Sequence, residues 1–371
     1  MDSKQVEKNS ETIERIRKTM KDNHNNNREK QRFALLKTRR ALGDFISDVS
    51  YTKEFILDRA LNLKKKTLSI EDYQLLQNSL VQSEENINIF LGVDQIVFSL
   101  VRDLSSNNPV SQLYAANCCC NIALGNAKAC MTLAKYISPY LVNELESLNN
   151  PLLEICAWTI GNLSVGSSKA FDTLYKQGAI NILISLLTSC EDFSLPSVLY
   201  AITHCIYGGF NQIMEEEKIK IIEAVLKKNH SFRDKYFLWT LAFLSSSPGC
   251  QSHLHKFVPV IFENLFESLN QEEDFDIIVM TGLAHILANM ISEPSGEIAT
   301  ILLNYQNYPN FLTVVNRMLQ RDNDYINKEL LWLLGNLYNH PITIISDRMK
   351  NDLSFLSSLQ QISQSQYVKG S

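Results

Sequence analysis

The chain is 371 residues long, 45% apolar and 20% charged, with a formal net charge of −5. So much apolar residue can bury a large core. The acidic balance of everything beyond the first 40 residues excludes a body built to grip nucleic-acid backbone, which needs clustered Lys and Arg. Only 13 Gly and 9 Pro leave few turn signals, and the many Leu, Ile, Asn, Glu and Lys predict an all-α chain, either as two domains or as one elongated repeat array.

The first 40 residues carry 12 Lys/Arg against 6 Asp/Glu, whereas the remainder carries 23 against 34. A basic head therefore precedes an acidic body. Its polar start predicts no secretory signal. Within it, I-E-R-I-R-K-T-M-K is separated by the polar stretch 22–27 from R-E-K-Q-R-F-A-L-L-K-T-R-R, residues 28–40. Arg28, Lys30, Arg32, Lys37, Arg39 and Arg40 alternate there with Phe33, Leu35 and Leu36. That pattern fits a basic amphipathic helix, a coiled-coil-like helix or a solvated tail. Lys64, Lys65 and Lys66 form a second basic run, expected at a helix end or in a loop.

Farther along, C-A-W-T-I-G-N-L-S at 156–164 returns as L-L-W-L-L-G-N-L-Y at 330–338. Weaker copies place the Asn position at Asn121, Asn162, His204, Phe243, Asn289 and Asn336, at intervals of 41, 42, 39, 46 and 47 residues. The three tryptophans, Trp158, Trp239 and Trp332, each stand four residues before one of these positions. Apolar helical segments ending at Leu104, Leu148, Leu187, Leu226, Leu269 and Leu319 precede them by 17, 14, 17, 17, 20 and 17 residues, and a seventh such segment ends at Leu359. Helices recurring with a fixed offset and a period of about 40–47 residues are the mark of an armadillo or HEAT solenoid.

Two segments carry a closer likeness. G-A-I-N-I-L-I-S-L-L at 178–187 resembles the second helix of an armadillo repeat, and C-A-W-T-I-G-N-L-S resembles the third helix of the importin-α family, in which Trp and Asn recur along a concave groove. The likeness covers roughly residues 86–360 as a pattern and is close at 151–190 and 328–341. It extends to the divergent transmembrane-and-coiled-coil-domain-containing relatives of importin-α. L-L-K-T-R-R in the head resembles the importin-β-binding segment of that family, although the long arginine run expected upstream is missing. The resemblance implies a right-handed superhelical armadillo solenoid of about six complete repeats and an incomplete seventh, where ten repeats are usual. The chain is thus expected to be a short relative or a truncated product. The implied layout is a carrier-binding head at 1–45, a helical lead-in or cap at 46–85, the solenoid at 86–360 and a flexible tail at 361–371.

Four residues turn a helix by about 400°, so Trp and Asn at i and i+4 share one face. An Asn carboxamide can both donate to and accept from the backbone of a bound segment, and indole faces form slots for Lys and Arg stems. The candidate peptide-binding groove is Trp158, Asn162, Trp332, Asn336, Asn289, Trp239 and Asn121. Glycines at 161 and 335 are expected to admit close backbone approach, and the amides of Asn162 and Asn336 are expected to be exposed. Trp239, followed by Phe243, reads equally as core. Successive Trp-Asn pairs are expected of the family, but Tyr200/His204, Trp239/Phe243 and His285/Asn289 stand in three of the places. Layers about 10 Å apart and about 3.3 Å per extended residue make four repeats equal to roughly a dozen ligand residues. A longer or specialised basic segment therefore fits better than a short import signal.

No phosphate-cradling loop, H-E-x-x-H or G-x-S-x-G is present, so no catalytic residue, metal or cofactor is expected. The eight cysteines form no C-x-x-C pair and are read as buried thiols of a reducing compartment. Residues 193–214 contain no charge, yet their Pro, His, Gly and Asn favour burial between solenoid helices over a membrane span. The expected function is an importin-α-like adaptor, not an enzyme, that shuttles between cytoplasm and nucleus. Its partners would be a basic cargo segment and importin-β, with no nucleic acid and no membrane. The rivals are a dedicated chaperone for a basic client such as a ribosomal protein or histone, without a carrier, and a regulatory armadillo module in signalling.

Overall fold

The computed structural model describes residues 42, 50–147, 149–227, 232–270, 276–304, 311–320 and 323–351. Among them every regular element is helical. Residues 39–253 form one compact unit, and the described residues from 254 onward belong to a second.

The first unit opens with α1 (Lys53–Lys65), α2 (Ile70–Gln82), α3 (Glu84–Leu91), α4 (Ile96–Leu104) and α5 (Pro109–Ile122). It continues through α6 (Ala127–Glu144), α7 (Asn150–Gly166), α8 (Ser168–Lys176), α9 (Ala179–Ser189), α10 (Leu195–Gly209), α11 (Glu215–Lys227) and α12 (Lys235–Leu244). After α13 (Pro248–Leu254), the second unit holds a 3-10 turn, α14 (Val258–Asn270), α15 (Ile277–Met290), α16 (Glu297–Leu303), α17 (Phe311–Leu319), α18 (Asp324–Tyr338) and α19 (Thr343–Asn351).

The repeating motif is a short first helix, an amphipathic second and a third that carries the Asn position. Second helices α4 and α17 end on the leucines expected, Leu104 and Leu319. In the second repeat, first and second helices merge into the single α6, with Pro139 inside it. Between His204 and Phe243, the shortest interval, no separate first helix is formed: α10 turns through residues 210–214 straight into α11. The lead-in is itself a layer, because α2 packs on α5 as α5 packs on α7. Lys64 and Lys65 close α1 and Lys66 is its C-cap. The charge-free stretch from Phe193 falls on α10, most of which is buried. No helix of the described residues is long and apolar enough to cross a membrane.

Second helices show one apolar stripe: α4 buries Ile96, Val97, Leu100 and Leu104, the spacing of a single face. Third helices are buried almost all round. Every residue from Tyr236 to Leu244 in α12, and from Val279 to Met290 in α15, is inside. Such helices are held by packing on several sides rather than by propensity.

Their starts obey a rule of their own. Asn108, Asn149, Asp276 and Asn323 each accept backbone N–H bonds in the first turn of α5, α7, α15 and α18, thirteen residues before Asn121, Asn162, Asn289 and Asn336. Asp234 caps α12 nine residues before Phe243, so this third helix is one turn shorter. An Asx cap is worth about 1 kcal/mol to the helix it starts. Near the lead-in, buried Asp103 accepts from Thr67 Oγ1 (2.8 Å), Arg102 Nε (2.7 Å) and the Tyr73 hydroxyl, which ties α2 to α4. Burial alone would raise its carboxyl, but the hydrogen bonds from Arg102, Tyr73 and Thr67 outweigh it and hold the group below the usual range.

Candidate functional site

Three of the array asparagines share one contact. Asn162 Nδ2 donates to the carbonyl of Cys120 at 3.2 Å, and Asn336 Nδ2 to the carbonyl of Ala288 at 2.8 Å. Each acceptor is the residue just before the Asn position of the preceding repeat. Asn121 Nδ2 reaches the carbonyl of Gln77, in the lead-in layer, at 2.9 Å. One amide hydrogen of each of these three thus stitches its helix to the preceding layer. The rest of the carboxamide meets different surroundings in each.

At Asn121 that remainder holds a backbone. Oδ1 accepts from the N–H of Leu42 at 2.9 Å, and Nδ2 donates to the carbonyl of the same residue at 2.6 Å. A two-way grip of this kind reads main chain without regard to side chain. Leu42 follows Arg40 by two residues and Arg39 by three. Arg28, Lys30, Arg32, Lys37, Arg39 and Arg40 themselves lie outside the described residues.

Asn162 differs. It is fully buried, and its Oδ1 accepts from the Tyr200 hydroxyl of α10 at 2.5 Å. The expectation of an exposed amide fails here, because the next layer closes over it. Trp158 remains half-buried, with its indole N–H given to Ser197 Oγ at 2.8 Å. Gly161 does allow a close approach: a β-carbon on it would fall 2.5 Å from Tyr200 Cε1. That approach is to the neighbouring ring, not to an open groove.

Trp239 is 0% exposed and packs against Phe243 with ring centroids 5.7 Å apart, so of its two readings the structure gives core. His204 is buried, with Nδ1 2.8 Å from the carbonyl of Tyr200. In the second unit, His285 Nδ1 lies 2.8 Å from Glu329 Oε2, and Asn289, buried as well, donates from Nδ2 to His285 Nε2 at 3.1 Å. Asn289 is therefore tied into a buried polar group.

Trp332 and Asn336 are half-buried. Beyond its stitch to Ala288, the Asn336 carboxamide accepts no hydrogen bond from a described residue. A β-carbon at Gly335 would meet nothing within 4 Å, so that glycine borders open space instead of a close packing partner. Asn336 keeps the capacity that Asn121 spends on Leu42. Sequence reasoning missed Tyr200, Leu42 and Glu329 as partners. Only the Asx caps, thirteen residues before the Asn position in four of the third helices, were there to be found.

No family model matches the chain. It is 26% identical to importin subunit alpha-9 of Arabidopsis thaliana over 247 residues, 64% of this chain and 47% of that protein. Against the probable importin subunit alpha-A of Dictyostelium discoideum it is 31% identical over 134 residues, 34% of this chain and 24% of that one. The matches thus span about half of the first relative and a quarter of the second. Among solved structures, an engineered protein superposes with a TM-score of 0.52 at 18% identity, over 83% of this chain and 71% of its own, a likeness of fold.

Proposed function

We propose that this chain, an importin-α-like armadillo-repeat protein, binds a basic, extended segment of another protein along its third helices and serves as an adaptor for nuclear import. The fold is a binding scaffold and not an enzyme. The observation that carries the reading is the grip of Asn121 on both backbone groups of Leu42. It is the contact the array asparagines would make to a ligand, here made to a segment of the chain itself.

In this reading Asn336 and Trp332 supply the open backbone clamp and the cation slot of the second unit. Trp158 supplies a half-buried indole edge in the first unit, and Asn289 supports the second unit from its buried polar group. Asn162 and Trp239 serve the scaffold. Residues 28–40 recruit an importin-β-type carrier, and the adjoining Leu42 keeps the Asn121 clamp filled until the carrier draws the head away. The protein would then work in both cytoplasm and nucleus.

The closure of Asn162 and the burial of Trp239 favour a second reading: a dedicated chaperone for one long basic client, without carrier coupling. Affinity capture of the intact chain separates the two. Recovery of importin-β together with basic proteins supports the adaptor. Recovery of one basic client without it supports the chaperone. Binding of a labelled peptide of alternating Lys and Arg tests the groove itself. Asn336→Ala is expected to weaken it about tenfold, the scale of a hot-spot contact, and an unchanged affinity would remove the groove from the second unit.

A further inference from the structure

Three contacts converge on the Trp158/Asn162 pair from α10. The Tyr200 hydroxyl donates to Asn162 Oδ1 at 2.5 Å, Ser197 Oγ accepts the Trp158 indole N–H at 2.8 Å, and the Tyr200 ring lies where a β-carbon on residue 161 would be. Tyr200 occupies the Trp place of the third repeat, four residues before His204. The second repeat has Trp158 in that place, and there Asn121 of the preceding repeat is not capped by a side chain: its carboxamide takes the backbone of Leu42. A tryptophan carries only an indole N–H, and that of Trp158 goes to Ser197. A tyrosine carries a hydroxyl that can do what a ligand N–H would do.

We propose that Tyr200 is a specificity determinant of the groove: its hydroxyl stands in for a ligand backbone N–H at Asn162 and takes the second repeat out of peptide binding. The inference rests on the reading of the groove as a peptide site. It adds that Tyr200, in the Trp place of the third repeat, decides whether Asn162 of the repeat before it is open. A bound segment would be held at Asn121 or at Asn336 and passed over at Asn162, despite the intact W-x-x-G-N-L motif. The buried amide is still satisfied, since its donor goes to Cys120 and its acceptor to Tyr200, so closure leaves no orphaned polar group behind.

The test uses the full chain and the labelled Lys-Arg peptide, with affinities corrected for the folded fraction. In the parent chain Asn162→Ala should lower the melting temperature and leave peptide affinity unchanged. Tyr200→Phe, which keeps the ring and removes the hydroxyl, and Tyr200→Ala, which removes both, should tighten binding. The larger gain is expected to be about tenfold, the worth of a hydrogen bond in a desolvated site. Adding Asn162→Ala should cancel the gain in either background. Tyr200→Phe decides alone if Tyr200→Ala does not fold.

Loss of affinity on Asn162→Ala in the parent chain would overturn the proposal, as would the absence of any Asn162-dependent gain in the Tyr200 variants. Asn336→Ala keeps the two levels apart. If it weakens binding while the Tyr200 variants gain nothing, the lock fails and the groove stands. If the peptide binds neither the parent chain nor any variant, the groove reading fails and the lock falls with it.

Discussion

Asn162 in the first unit and Asn336 in the second are written in the same words, Trp-x-x-Gly-Asn-Leu, and meet opposite fates. Both donate one amide hydrogen to the preceding repeat. Asn162 is then sealed by Tyr200, and its glycine neighbour is pressed against the same ring. Among the described residues nothing donates to the Asn336 acceptor, and a β-carbon on its glycine neighbour would meet nothing within 4 Å. A motif fixes what a side chain can offer. At Asn162 the following layer, some forty residues away, closes over what is offered.

The largest expected difference is between tryptophans. Trp239→Ala should cost about 3–5 kcal/mol of folding stability, as truncation of a fully buried indole does. Trp332→Ala, at a half-buried position, should cost much less stability and should weaken binding of a basic peptide. Chemical denaturation and peptide titration on both variants check this, and equal stability losses would erase the contrast between core and groove.

Next come the amides. Asn162→Ala leaves the Tyr200 hydroxyl and a buried carbonyl without their partner, at a cost of about 1–3 kcal/mol. Asn336→Ala loses one stitch and should fall near the lower end of that range, with its main effect on affinity. Melting curves for the pair rank them, and a larger loss at 336 would reverse the assignment of scaffold and site.

The glycines should move in opposite directions. Gly161→Ala drives a β-carbon into Tyr200 and should destabilise by about 1–3 kcal/mol, as overpacking does. Gly335→Ala enters open space within a helix and should stabilise by about 0.5–1 kcal/mol through the entropy of the unfolded chain. If a ligand backbone passes close to residue 335, the same change should also weaken peptide binding. A stabilised variant with undiminished affinity would move the ligand path away from that glycine.

Much of the fold was legible because its signal is periodic. Two third helices, α7 and α18, carry Gly-Asn-Leu and the others weaker copies in phase with it, and the second helices bury one stripe, so α4 and α17 end on the expected leucines. The merged α6 and the missing first helix before α11 were not legible: they change how a link is made while leaving the repeat interval almost untouched. The site was legible only by residue type. That Trp158 and Asn162 share a face follows from helix geometry, but which neighbour covers that face depends on Tyr200, which resembles neither member of the motif. Likewise, nothing local to Leu42 announces that Asn121 will hold it.

The cysteines give the first unit a clock of its own. All eight lie between residues 118 and 250, inside the unit that ends at His253. None is in a disulfide, and only Cys190 is less than fully buried. Burial pushes the Cys205 thiol up to about 12 and that of Cys250 up to about 11, so the reactive thiolate is scarce while the helices stay closed. Alkylation should therefore mark Cys190 first and reach the others only when their layers part. Mass spectrometry of the labelled peptides would time the opening of each repeat in turn, while the second unit, which has no cysteine, stays chemically silent.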